Sequence, residues 1–130
     1  MSTTLLRAAV ILAGAFLTAC AGATPPSASL NTRDTSLGAV LVDARGMTLY
    51  TYTEDEPGVS HCGMLCREFW PPALAPAGAQ PSGDLTLIAT GDGQKQWAYK
   101  GHPLYTYVDD KAPGDVTGEG AEGEWYVVKP

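Results

Sequence analysis

His61-Cys62-Gly63-Met64-Leu65-Cys66 places a histidine, two thiols and a thioether in one short run. Such a run has two chemical uses. Outside the cytoplasm, Cys62 and Cys66 join as a disulfide that closes a small loop. Kept reduced, His61, Cys62 and Cys66 are soft ligands for copper(I), or for zinc if His102 or Asp55 adds a fourth donor. The Cys-x-x-x-Cys spacing is wider than the usual zinc pair, and no haem-attachment sequence follows Cys62. The disulfide is the favoured reading, with no metal or other cofactor.

A second chemistry-bearing set occurs twice: Tyr50, Tyr52 and Asp55 return as Tyr105, Tyr107 and Asp110. A carboxylate beside paired tyrosines can serve as a ligand or a general base. It also suits a turn, where an aspartate accepts bonds from backbone N–H groups or from a tyrosine hydroxyl. Duplication favours this structural role, because a catalytic centre rarely has to appear twice. The chain has no Gly-x-Ser-x-Gly elbow, no phosphate-cradling glycine loop and no His-Glu-x-x-His. It therefore reads as a non-enzyme. Trp70 and Trp125 read as matching core plugs and His102 as a surface residue. Trp97 with Tyr99 is either core or an aromatic surface for a sugar or peptide, core being preferred. Asp109, Asp110, Glu119, Glu122 and Glu124 could gather a divalent cation, though their spacing matches no calcium loop.

The third cysteine sets the compartment. Arg7 precedes an apolar run over residues 8–17, about half the ~20 residues a spanning helix needs, so residues 1–19 read as a signal peptide. Leu17-Thr18-Ala19-Cys20 resembles the lipobox of bacterial lipoprotein precursors. The resemblance implies cleavage before Cys20 and acylation of its thiol with palmitate-type chains; ordinary secretory cleavage near Ala19 is the alternative. Acyl chains contribute ~0.8 kcal/mol per buried CH₂, so two or more anchor firmly. Residues 20–35 then form the lipidated cysteine and a proline- and alanine-rich tether spanning roughly 20 Å. The folded part is expected in the cell envelope on the extracytoplasmic side. Ala21 after Cys20 favours an outer membrane if the organism has one.

Comparing the chain with itself exposes a duplication. Gly46-Met-Thr-Leu-Tyr-Thr-Tyr-Thr-Glu-Asp55 returns as Gly101-His-Pro-Leu-Tyr-Thr-Tyr-Val-Asp-Asp110, offset by 55. The offset persists to Trp70 and Trp125, while Pro57-Gly58 and Pro113-Gly114 are slipped by one residue. The elements that must position these residues are strands. Residues 37–43, 47–53, 85–90, 94–99, 103–108 and 124–128 are rich in β-branched, aromatic and apolar types between glycine turns. At most one helical turn is expected, around residues 66–69. The prediction is a single all-β domain over 36–130. It is an antiparallel sandwich or partly closed barrel of two pseudo-twofold-related repeats, about 37–75 and 85–130.

On these residues the chain resembles the bacterial secreted-repeat lipoproteins with the Tyr-x-(Phe/Trp/Tyr)-x-x-Asp motif. Both copies match it, as do Cys62-x-x-x-Cys66, Trp70-Pro71-Pro72, Asp92-Gly93, Gln96, Pro113-Gly114-Asp115 and Trp125-Tyr-Val-Val. The resemblance carries no activity with it. One departure stands out: Met64-Leu65 is bulkier than the small residues usual between those cysteines.

Net charge narrows the partners. The chain carries −6, and removing Arg7 leaves 7 basic against 14 acidic side chains, or −7. That argues against nucleic acid and anionic headgroups. The expected partners are the membrane through Cys20 and an envelope protein or small ligand. The expected role is a lipid-anchored binding or structural module; the alternative is a copper, zinc or redox lipoprotein built on His61, Cys62 and Cys66.

Overall fold

Ala39-Val-Leu-Val42 has no polar side chain, so a strand there puts apolar groups on both faces and needs two cores. The computed structural model, which describes residues 30–130 together with 9, 11 and 13–15, contains both. The rest of the signal peptide, Cys20 and residues 21–29 of the tether lie outside the described residues.

β1 (Asn31–Thr35) and β2 (Gly38–Val42) form an antiparallel hairpin. Its turn is held by Thr35, whose Oγ1 donates to the Gly38 carbonyl (2.8 Å) and accepts from the Leu37 N–H (3.1 Å). Asp43 then reverses the chain, its Oδ1 accepting from the N–H groups of Arg45 and Met47 at 2.9 and 3.0 Å. β3 (Tyr50–Tyr52) pairs antiparallel with β7 (Trp125–Val127), near the other end of the chain. Between them lie helix α1 (Met64–Phe69) and a three-stranded sheet in the order β4 (Leu85–Ala89), β5 (Lys95–Tyr99), β6 (His102–Pro103). β5 turns into β6 through Lys100 and Gly101, both at positive φ (49° and 82°), as a two-residue turn matched to strand twist requires.

Alternation sorts the side chains between two clusters. Val40, Val42, Tyr50, Tyr105 and Val127 join Cys62, Trp70 and Trp125 on one side. Leu41, Leu49, Leu104 and Val128 join Ala73, Leu85 and Trp97 on the other. Each large apolar side chain buried this way contributes about 1.5–3 kcal/mol.

Four expectations are corrected. The polar sequence Asn31-Thr-Arg-Asp-Thr35, read as tether, is strand β1, an exposed edge held by backbone pairing to apolar β2. The strands expected over 47–53 and 103–108 shrink to Tyr50–Tyr52 and His102–Pro103, with isolated bridges beyond them such as Val42 to Thr48 and Tyr50 to Tyr105. The helix starts at Met64, ahead of the expected single turn. No sheet closes into a barrel among the described residues: the fold is mostly β with small antiparallel sheets. Pro71, Pro72, Pro76 and Pro103 lack the N–H that a continuous ladder needs, which keeps the pairings short. Among the described residues no helix is long and apolar enough to cross a membrane.

Candidate functional site

The two motif copies meet backbone to backbone at their first tyrosines. The Tyr50 N–H donates to the Tyr105 carbonyl (2.8 Å) and the Tyr105 N–H to that of Tyr50 (3.0 Å). From this bridge each phenol reaches the aspartate of the other copy. The Tyr50 hydroxyl donates to Asp110 Oδ2 (2.7 Å), and the Tyr105 hydroxyl to Asp55 Oδ2 (2.6 Å). The second oxygen of each carboxylate gathers its own loop. Asp55 Oδ1 accepts from the His61 N–H (2.6 Å); Asp110 Oδ1 accepts from the Thr117 N–H (3.0 Å) and hydroxyl (2.6 Å). His61 and Thr117 stand 56 apart, the same slipped register as Pro57 and Pro113. Burial first, then the bond to the carboxylate, pushes both phenols well above the usual tyrosine range.

The second tyrosines belong to a row of stacked rings. Tyr107 stacks on Trp70 at 4.1 Å between centroids, Trp70 on Trp125 at 3.9 Å, and Trp125 on Tyr52 at 4.4 Å. Tyr50 and Tyr105 close the arrangement edge-on, against Trp70 (5.3 Å) and Trp125 (5.1 Å). Edge-to-face pairs at such distances are what ring quadrupoles favour, each adding about 0.5–1.5 kcal/mol beyond burial. Gly118 makes room for the row, since a Cβ there would lie 2.7 Å from Trp70 Cη2 and 3.0 Å from Tyr50 Cε1.

All four stacked rings line an open cavity of about 410 Å³. One wall is α1, contributing Leu65, Cys66 and Phe69; the other is the turn at Ala121–Gly123, contributing Ala121 and Glu122, with Glu124 beside it. A six-residue helix has little stability of its own. α1 is held by the Cys62–Cys66 disulfide and by Arg67, whose Nε donates to the Cys62 carbonyl (3.0 Å) and Nη1 to that of Thr90 (3.4 Å). Its apolar residues face outward: Met64 is 87% exposed, Leu65 76% and Phe69 58%.

A family model described as a secreted repeat of unknown function matches residues 31–74 and again residues 86–129. The chain belongs to that family. The matches are displaced by 55 at both ends (86 − 31 and 129 − 74), the offset of the internal duplication. No curated protein and no solved structure matches the chain.

Within this pair of secreted repeats, the residues singled out by sequence separate into two groups. Tyr50, Asp55, Tyr105 and Asp110 form the junction, and Tyr52 and Tyr107 cap the ring row. Trp70 and Trp125 are buried against each other, and Trp97 is buried in the second core, so no Trp97–Tyr99 surface exists. His102 is exposed in β6. The metal alternative is corrected. The sulfurs of Cys62 and Cys66 are bonded to each other, and the His61 ring points Nε2 at Glu56 Oε2, 3.0 Å away. Among the described residues no three His, Cys, Asp or Glu side chains gather closely enough to hold a metal ion. Cys20 lies outside the described residues. Sequence reasoning missed the groove walls: Leu65, Phe69, Glu122 and Glu124 come together only in the fold. The bulk of Met64-Leu65 signals the first wall and the carboxylates of Glu122 and Glu124 the second.

Proposed function

We propose that this secreted-repeat protein is an envelope lipoprotein, anchored through acylated Cys20, whose folded part binds a ligand or partner and does not catalyse a reaction. The observation that carries the reading is the groove of about 410 Å³ over the stacked rings, with Leu65 and Phe69 held out to solvent on a stapled helix. Ligand pockets of this size class are largely apolar and aromatic, with a few polar groups. The non-catalytic part of the reading is supported by Asp55 and Asp110, both of whose oxygens are engaged in holding the fold. A pseudo-twofold relation between the copies, with its axis near the Tyr50–Tyr105 bridge, is supported by the crossed bonds and the centred tryptophan pair.

Two experiments test the reading. Mass spectrometry of the membrane-extracted protein is expected to find an N-terminal peptide starting at acylated Cys20, and Cys20→Ser to abolish it; an unmodified N-terminus in the soluble fraction would remove the anchor. Fragment screening by NMR is expected to yield compounds that move the Trp70 and Trp125 indole N–H signals and spare that of Trp97. A screen in which nothing moves them would remove the binding module.

A further inference from the structure

The two walls of the groove are counterparts in the duplication. Under the offset of 55, Cys66 corresponds to Ala121, Arg67 to Glu122 and Phe69 to Glu124. The floor is the same in both copies: Tyr52 with Tyr107 and Trp70 with Trp125. Only the walls differ, one apolar and one acidic.

Chemistry at the floor decides how an occupant lies. Trp70 and Trp125 each have stacked neighbours on both faces, so the groove meets their ring edges. Ring edges are electropositive, which makes the floor a poor seat for a cation and a good one for an apolar or aromatic body. Glu122 and Glu124 form no ion pair with any described residue, and no lysine or arginine lines the groove. A positive group therefore gains most at the acidic wall, with the attached body over the floor and against Leu65 and Phe69.

The geometry points to a small amphiphilic organic cation, an ammonium group on an aromatic or alkyl body, as the ligand class of this groove. The inference rests on the binding-module reading and adds the chemistry of what is bound. A neutral analogue keeps the apolar contacts and loses the carboxylates. A bare ammonium keeps the charge and loses the floor. Both are expected to bind at least tenfold more weakly.

The test is an NMR titration of the full ¹⁵N-labelled chain in a non-ionic detergent. The probes are phenylethylammonium, 2-phenylethanol, phenylacetate and methylammonium. Phenylethylammonium is expected to shift the Trp70 and Trp125 indole signals to saturation, at least tenfold more tightly than the other three, leaving Trp97 in place. The preference over 2-phenylethanol should shrink with added salt and vanish in Glu122→Gln/Glu124→Gln, two groove-rim changes whose effect on folding the Trp97 signal monitors. Equal binding of 2-phenylethanol or phenylacetate would overturn the cation while leaving a binding groove. Equal binding of methylammonium would overturn the apolar body. Silence from all four probes would overturn the inference, and silence across the wider screen would take the binding module with it.

Discussion

The hydroxyl of Tyr50 donates to Asp110 Oδ2 at 2.7 Å, a bond between residues 60 positions apart and in different copies of the motif. Its counterpart joins Tyr105 to Asp55 across 50 positions. Each motif thus supplies a donor to the other copy and an acceptor for it.

The crossing has a thermodynamic signature. Tyr50→Phe leaves the buried carboxylate of Asp110 and the Gly118 N–H short of a partner, and is expected to destabilise by about 1–3 kcal/mol. In double-mutant cycles by urea unfolding, Tyr50→Phe with Asp110→Ala should show a coupling of about 0.5–3 kcal/mol. Tyr50→Phe with Asp55→Ala, from one motif copy, should couple less. The reverse ranking would place the bonds within copies.

Alkali should unfold the domain cooperatively. Unfolded tyrosine ionises near pH ~10, whereas burial and the bonds to Asp110 and Asp55 hold Tyr50 and Tyr105 protonated well above that. The folded state keeps protons that the unfolded chain releases, so these groups contribute fully below about pH 10 and lose their contribution as pH rises further. Urea midpoints measured upward from pH 9 should fall steeply once past that point, with tyrosinate absorbance rising in the same transition. A flat stability profile would contradict the buried, bonded phenols.

Gly118→Ala is expected to cost about 1–3 kcal/mol, because its methyl would overlap Trp70 and press on Tyr50. The stacked tryptophans should report it as a changed near-ultraviolet circular dichroism signal. Unchanged stability and spectrum would mean the ring row is looser than its 3.9 Å spacing.

Replacing Cys62 and Cys66 by alanine opens a short loop, so the expected loss is about 2 kcal/mol. Hydrogen exchange should rise over Met64–Phe69 before it rises in β5. Equal protection in the oxidised and alanine forms would show that Arg67 alone holds the helix.

What the sequence could tell depended on how local each signal was. The alternation of Leu49 with Tyr50, and of Leu104 with Tyr105, is a local signal, because strand geometry sends successive side chains to opposite faces residue by residue. The glycine turns at Gly46, Gly93 and Gly101 were legible for the same reason. β1 was not, since Asn31-Thr-Arg-Asp-Thr35 has no apolar pattern and is held by its partner's backbone. Nor was the crossing of Tyr50 to Asp110: the motif reads identically whether its aspartate serves its own tyrosine or the other copy's. The groove was the least legible feature, because α1 and Ala121–Gly123 approach each other only once the tryptophans stack.

The Tyr50–Tyr105 bridge also constrains how such a chain can grow. In a stacked solenoid every unit offers one face up and one down, so units can be added singly. Here each unit spends its donor and its acceptor on the same neighbour, and the pair is closed. A third copy would arrive with a phenol and a carboxylate and find both matched groups taken. Half of this domain would lose both crossed bonds, and is not a smaller domain but an unmatched piece.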